Sequence, residues 1–271
     1  MSNMKRIACF FTAGYTEINS LKIFLGKIND TVEYIQLCPT GKRRRKNNVK
    51  CHYVDNISQE QSGLTGRSLI QYILKFIKTE TFQKERYDAI LIEDDKDDRF
   101  LEIDPNGFSV FNQTEWADFK ITTNNDIKKI CPNIPVIYFF AAPEIETWFI
   151  ADFDNSFGMA YRTILTYKEN KFFKIRFCKY INKFIITKQY KKCIEEYGYF
   201  NGSYLKLSTQ IQKALDENDF LEDFNTKTSL PIISYSKRYI GQDMLSQIDP
   251  DTVLKYCTIF FKEGYNSLKK V

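Results

Sequence analysis

Histidine is almost missing: His52 is the only one in 271 residues. A Ser-His-Asp triad or a His-rich zinc site would have to rest on that one ring. Chemistry therefore falls to carboxylates and lysines. Paired cysteines are missing as well. Cys9, Cys38, Cys51, Cys131, Cys178, Cys193 and Cys257 are odd in number and scattered, with no C-x-x-C pair. That pattern fits reduced thiols in a cytosol better than a disulfide framework. No apolar run approaches the roughly 20 residues that span a bilayer. The opening "MSNMKRIACFF" has neither the apolar stretch nor the small-residue cleavage site of a secretory signal. A cytoplasmic protein without a membrane segment is expected. Gly/Ser linkers, internal repeats and low-complexity tracts are also absent, so the chain reads as one compact unit.

What is present is enough for a core: 43% hydrophobic and 15% aromatic residues argue against wholesale disorder. The net charge of +5 and pI of about 8.6 are too mild to imply a nucleic-acid partner by themselves; clustering matters more.

The first half alternates strand-like and helix-like segments. Strands are expected at 4–12, 32–38, 87–93 and 134–140, and helices at 16–29, 65–83 and about 115–131. Short apolar strands separated by helices argue for an α/β fold with a mainly parallel sheet. After "AAPEIETWFIADF" the texture becomes helical and rich in Lys, Phe and Tyr, with one extended piece at 230–235. Asp249 and Pro250 mark a helix start. The expected division is an α/β core over 1–155 and a basic helical portion over 156–271 that packs on the core and completes it.

The densest chemical feature is "EDDKDD" at 93–98, directly after an apolar strand. Residues just past strand ends line the edge where α/β sites form. Crowded carboxylates there repel one another unless solvated or bridged by cations, and Mg²⁺ suits such donors. The other reading is a solvated acidic loop. Glu17 follows the first strand, and Glu144 and Glu146 follow the fourth. Each alone also reads as an acid complementing a helix dipole; three strand ends delivering acids is harder to dismiss. Lys237 follows the extended segment and can bring a cation to the same edge, or serve as an ordinary surface lysine.

Residues 161–192 hold ten Lys/Arg against one acid, Glu169. Lys171, Lys174, Arg176, Lys179, Lys183 and Lys188 form the candidate polyanion contact. The interleaved aromatics fall on one helical face and read as core. Lys42–Lys46 is a second basic patch on an expected loop. Neither patch reads sequence or separates DNA from RNA.

Together these motifs resemble a Toprim-like family of bacterial proteins, often encoded beside an ATPase and related in layout to the overcoming-lysogenisation-defect nucleases. The family's E-G-x-T-E turn is similar to Ala13-Gly14-Tyr15-Thr16-Glu17, its D-x-D site to the cluster at 93–98, and its A-P-E-I-E-x-W helix to "APEIETW". "YSKRYIGQDMLSQID" and the closing "VLKYCTIFFKEGYNSL" resemble its C-terminal lysine and helix. The resemblance spans most of the chain and is weakest over 155–228. It implies a Toprim-like sheet and a Mg²⁺- or Mn²⁺-dependent nuclease acting on DNA or RNA. Glu17, Asp95, Asp97 and Glu146 would be metal ligands and Lys237 a catalytic cation. The D-x-D pair is either Asp95/Asp97 or a register in which Asp94 takes the strand-end role. Ala13 stands where the family carries a catalytic glutamate. It is either a natural variant or a Glu-to-Ala change that holds an inert form, and the otherwise intact acids favour the second. The family context implies an AAA/ABC-type ATPase partner in an anti-phage system, and leaves open a homodimer. The alternative is a non-catalytic Toprim-like subunit that docks on an ATPase.

Overall fold

The computed structural model describes residues 4–12, 14–18, 20–43, 54–107, 109–161, 171, 174–175, 194–200, 203–216, 235 and 237–271. The first half runs β1 (Lys5–Phe10), α1 (Ser20–Ile28), β2 (Val32–Cys38), β3 (Gly41–Arg43), β4 (Val54–Ile57), α2 (Gly66–Phe76), α3 (Glu80–Gln83) and β5 (Ala89–Asp95). Then follow β6 (Leu101–Ile103), β7 (Ser109–Phe111), α4 (Gln113–Lys128), β8 (Val136–Ala141), α5 (Glu146–Ala151) and α6 (Phe157–Ala160). Beyond them come β9 (Tyr199–Phe200), β10 (Ser203–Tyr204), α7 (Leu207–Asp216), α8 (Gln242–Gln247), α9 (Pro250–Tyr256) and α10 (Phe260–Leu268).

The main sheet has four strands in the order β2-β1-β5-β8, and every pairing in it is parallel. The fold is therefore α/β: a parallel sheet flanked by helices, with helices again at the C-terminal end. The chain runs from β1 to one neighbour, β2, and later to the other, β5, so the winding direction reverses between β1 and β5. A crevice outside the strand ends forms at such a reversal.

Alternation along the strands sorts the core into two layers. Ile7, Cys9, Ala89, Leu91, Ile137 and Phe139 face α1 and the C-terminal helices. Ala8, Phe10, Ile90, Ile92, Tyr138 and Phe140 face the layer of α2 and α4. On the first face Phe261 of α10 packs its ring against Phe24, Phe139 and Trp148. Gly264 lets α10 lie directly on β8, because a β-carbon there would sit 2.6 Å from the Phe139 ring and 2.9 Å from the Tyr138 carbonyl oxygen.

Three expected boundaries move. Residues 15–18 form a turn, and α1 starts only at Ser20. The turn is tied to the C-terminal part instead: Thr16 donates its hydroxyl to the Lys237 carbonyl (3.1 Å), and Gln242 donates to the Tyr15 carbonyl (2.6 Å). The helix expected over 65–83 is two, because the Thr79 side chain accepts from Phe82 N–H and begins a new turn. Finally, β5 extends to Asp95, so Asp94 and Asp95 are strand residues rather than loop residues. The Asp249 cap is as expected, accepting from the N–H groups of Asp251 and Thr252 at 3.2 and 3.1 Å. The extended piece at 230–235 lies outside the described residues except for Tyr235.

Candidate functional site

Because β5 continues to Asp95, its alternation continues too. Leu91, Glu93 and Asp95 share one side of the strand, and Ile92 and Asp94 the other. The two sides of this strand end have opposite fates.

Asp94 is fully engaged. Its Oδ1 accepts the hydroxyls of Thr12 and Thr65, each at 2.8 Å. Its Oδ2 accepts the Gly66 N–H at 2.8 Å and the Arg99 guanidinium at 2.6 Å. The carboxylate thus sits at the N-terminus of α2, where backbone donors and the helix dipole favour an anion. Gly66 has φ +54°, and a β-carbon there would lie 3.2 Å from Arg99 Nη1, so glycine serves both conformation and space. Arg99 also donates to the Asp95 carbonyl and lies over the rings of Phe100 and Phe140. With every lone-pair direction used, Asp94 works as a staple between β1, β5 and α2.

On the other side the acids are starved of partners. Glu17 is 2% exposed, Glu93 and Glu146 are fully buried, and Asp95 is 8% exposed. Glu17 Oε2, Glu93 Oε1 and Glu146 Oε2 have no hydrogen-bond partner among the described residues. The remaining contacts are few. Glu93 Oε2 accepts the Thr12 N–H at 3.1 Å, and Asp95 Oδ1 accepts the Ile145 N–H at 3.0 Å. Glu146 Oε1 accepts the Tyr235 hydroxyl at 2.5 Å and pairs with Lys237 at 3.1 Å. Gly14 makes room for Glu17, whose Oε2 would lie 2.2 Å from a β-carbon on that residue.

Electrostatics follow from this crowding. Burial, with Glu146 and Asp94 adding repulsion and Lys237 opposing, pushes the Glu17 carboxyl up to about 7. Burial and neighbouring carboxylates hold Glu93 and Asp95 well above the usual carboxylate range. Burial works against the Lys237 charge, but attraction from Glu146, Asp95, Glu144 and Glu17 outweighs it and raises its pKa. Lys237 is therefore a firmly charged ammonium, its side chain 37% exposed.

Asp97 lies two residues past the end of β5, with φ 51°. Its Oδ1 has no hydrogen-bond partner, and Lys206 stands 3.9 Å away. Burial raises its pKa, with Lys206 opposing. Glu144 accepts the Ser208 N–H at 2.8 Å and hydroxyl at 3.2 Å at the start of α7, lies 3.4 Å from Lys206 Nζ, and adds repulsion at Asp95 and Asp97. Glu17, Asp95, Glu146 and Lys237 are thus brought to one rim, with Asp97 at its edge. Ala13 lies outside the described residues.

Several contributors escaped the sequence reading. Glu93 was part of a conspicuous run but was not singled out. Its role becomes visible once apolar residues 89 and 91 fix the strand's inward face. Tyr204 and Lys206 come from the β9-β10 hairpin and its exit, where the pattern suggested only helix. The Tyr204 hydroxyl is buried without a partner, and burial with nearby Glu144, Asp97 and Asp95 raises its pKa. Lys96 is fully buried, its Nζ without a partner; burial, helped by Arg99, lowers its pKa to about 7.

Of the basic candidates, Lys171 is exposed, and Lys174 pairs with Asp154 at 2.6 Å and lies over the Phe153 ring. Arg176, Lys179, Lys183 and Lys188 lie outside the described residues, as does the run at 44–46. No helix among the described residues is long and apolar enough to cross a membrane.

The unpartnered oxygens suit a hard divalent cation in donor type. They are not drawn into a preformed cage: no three Asp, Glu, Cys or His side chains among the described residues are grouped to hold an ion. No protein-family model, curated protein or solved structure matches this chain.

Proposed function

We propose that the chain is a Mg²⁺- or Mn²⁺-dependent Toprim-type nuclease, cytoplasmic, hydrolysing phosphodiesters of DNA or RNA. The observation that carries this reading is the set of buried, unpartnered carboxylate oxygens on Glu17, Glu93 and Glu146 beside one charged lysine. The sequence resemblance to the ATPase-associated family supports it. So does the position of the acids at the switch point of a parallel sheet.

Glu17, Asp95 and Glu146 would hold the cation, with Asp97 at the outer side. When bound, the ion supplies Lewis acidity toward a phosphoryl oxygen and an activated water. Lys237 holds a positive charge at the same rim and stabilises negative charge developing on the phosphate. Tyr235 orients Glu146 through its hydroxyl. Lys206 stands at the mouth, its side chain 54% exposed, where it can meet a nucleic-acid backbone before the scissile phosphate reaches Lys237. In sequence, Lys171 belongs to a basic stretch suited to contact a polyanion. The family resemblance adds an ATPase partner and an anti-phage setting.

A second reading is favoured by two observations. Lys237 already neutralises Glu146, and position 13 carries a methyl group in place of a carboxylate. A Toprim-like subunit that docks on an ATPase without cutting would show both. The discriminating experiment is metal-dependent cleavage of DNA and RNA by the Ala13→Glu protein, with and without an ATPase partner. Cutting that is lost with Asp95→Asn supports the nuclease. Intact substrate under every condition supports the docking subunit.

A further inference from the structure

Glu93 is the carboxylate that neither the motif nor the lysine accounts for. It lies on β5 two residues before Asp95, and its accessible surface is 0%. One oxygen is pinned by the Thr12 N–H at 3.1 Å, and the Thr12 hydroxyl is committed to Asp94. The same N–H is shared with the Glu93 carbonyl at 3.0 Å, and Oε1 is left without a partner among the described residues.

Its surroundings repeat the point. Lys237 counts strongly for Glu17 and Asp95, whereas the charges acting most on Glu93 are the carboxylates Glu17, Asp95 and Asp94. Asp94 in turn is answered by Arg99 on the opposite face. Glu93 is left as a buried carboxyl among carboxyls. Ionising it there is costly unless a cation answers the charge. Strand geometry provides the place: Glu93 and Asp95 project from the same side, about 7 Å apart along the strand, with Glu17, in the turn after β1, near enough to act on both.

We infer that Glu93 would be a direct ligand of the divalent cation at this rim, through Oε1, with Oε2 held by the Thr12 N–H. This rests on the metal-site reading above and extends it by naming a donor beneath the motif residues.

The test uses the full chain and Mn²⁺ followed by titration calorimetry at fixed pH and ionic strength, with melting temperature of each metal-free protein as a fold check. Glu93→Gln removes the charge and keeps the shape. Glu93→Asp keeps the charge but withdraws it by one methylene. Asp98→Asn removes an exposed acid five residues on and serves as the control for general charge. The expected result is a loss of Mn²⁺ affinity of about tenfold or more in both Glu93 variants, with the control within about twofold of the parent. Should Glu93→Gln fail to fold, Glu93→Asp carries the comparison. Parent-like affinity in the Glu93 variants overturns the assignment. So does a loss in Glu93→Gln with full affinity in Glu93→Asp, which would mean charge without ligation. Absence of Mn²⁺ binding in the parent overturns the metal-site reading as well, and so separates the two failures.

Discussion

Asp94 and Asp95 are adjacent, chemically identical and both buried, yet they sit in opposite situations. Asp94 meets two hydroxyls, a helix N-terminus and an arginine. Asp95 meets one backbone N–H and a crowd of other acids. The difference arises from strand alternation alone, which sends one side chain toward α2 and the other toward the C-terminal elements. It teaches that a run of acids is not one feature. One face of the strand end is fully hydrogen-bonded, and the other holds buried carboxyl oxygens without partners among the described residues.

The largest effect that would break this comparison is at Asp94. Replacing it with Ala strands Arg99 and the α2 N-terminus, and should cost about 3–5 kcal/mol in denaturant unfolding. Glu93→Gln, on the starved face, should leave metal-free stability unchanged or higher. Equal losses at the two sites would erase the distinction.

Next comes pH. The Glu17 carboxyl is raised from 4.5 to about 7 in the folded state, so the unfolded chain loses its proton first. Its stability contribution is full below pH 4.5 and is lost as pH rises through about 7, a fall of about 3 kcal/mol in metal-free protein. Glu17→Gln should flatten that slope in urea titrations between pH 4 and 8.

Lys96 should give a pH dependence of opposite sign. Its amine is lowered from 10.5 to about 7, so its contribution is present above pH 10.5 and lost as pH falls through about 7. Lys96→Met, which keeps the aliphatic stem and removes the unpartnered amine, should raise stability at neutral pH by about 1–3 kcal/mol. The smallest effect is expected at Gly14, where Ala must displace the flexible end of Glu17. The thermal cost should be about 1 kcal/mol, with a clear loss of Mn²⁺ affinity because the displaced group is a donor.

The four sheet strands were legible because buried parallel strands are short apolar runs bounded by polar residues. The acids at their ends were legible for the same reason: the runs stop where they begin. The faces were not. Placing Asp94 and Asp95 required knowing that β5 continues through the charged residues, against their low strand preference, because pairing with β8 carries it to Asp95 opposite Ala141. The β9-β10 hairpin was missed because its strands, Tyr199–Phe200 and Ser203–Tyr204, are too short to show alternation. Tyr204 and Lys206 were missed with it.

The most direct measurement is the unfolding free energy at pH 8 with and without Mn²⁺, comparing the chain with a Glu17→Gln/Glu146→Gln double variant. A stabilisation of about 2.7 kcal/mol at one hundred times the dissociation constant, present in the chain and absent in the variant, is the expected result. An unchanged unfolding curve, or the same gain in both proteins, would contradict a cation site at this rim.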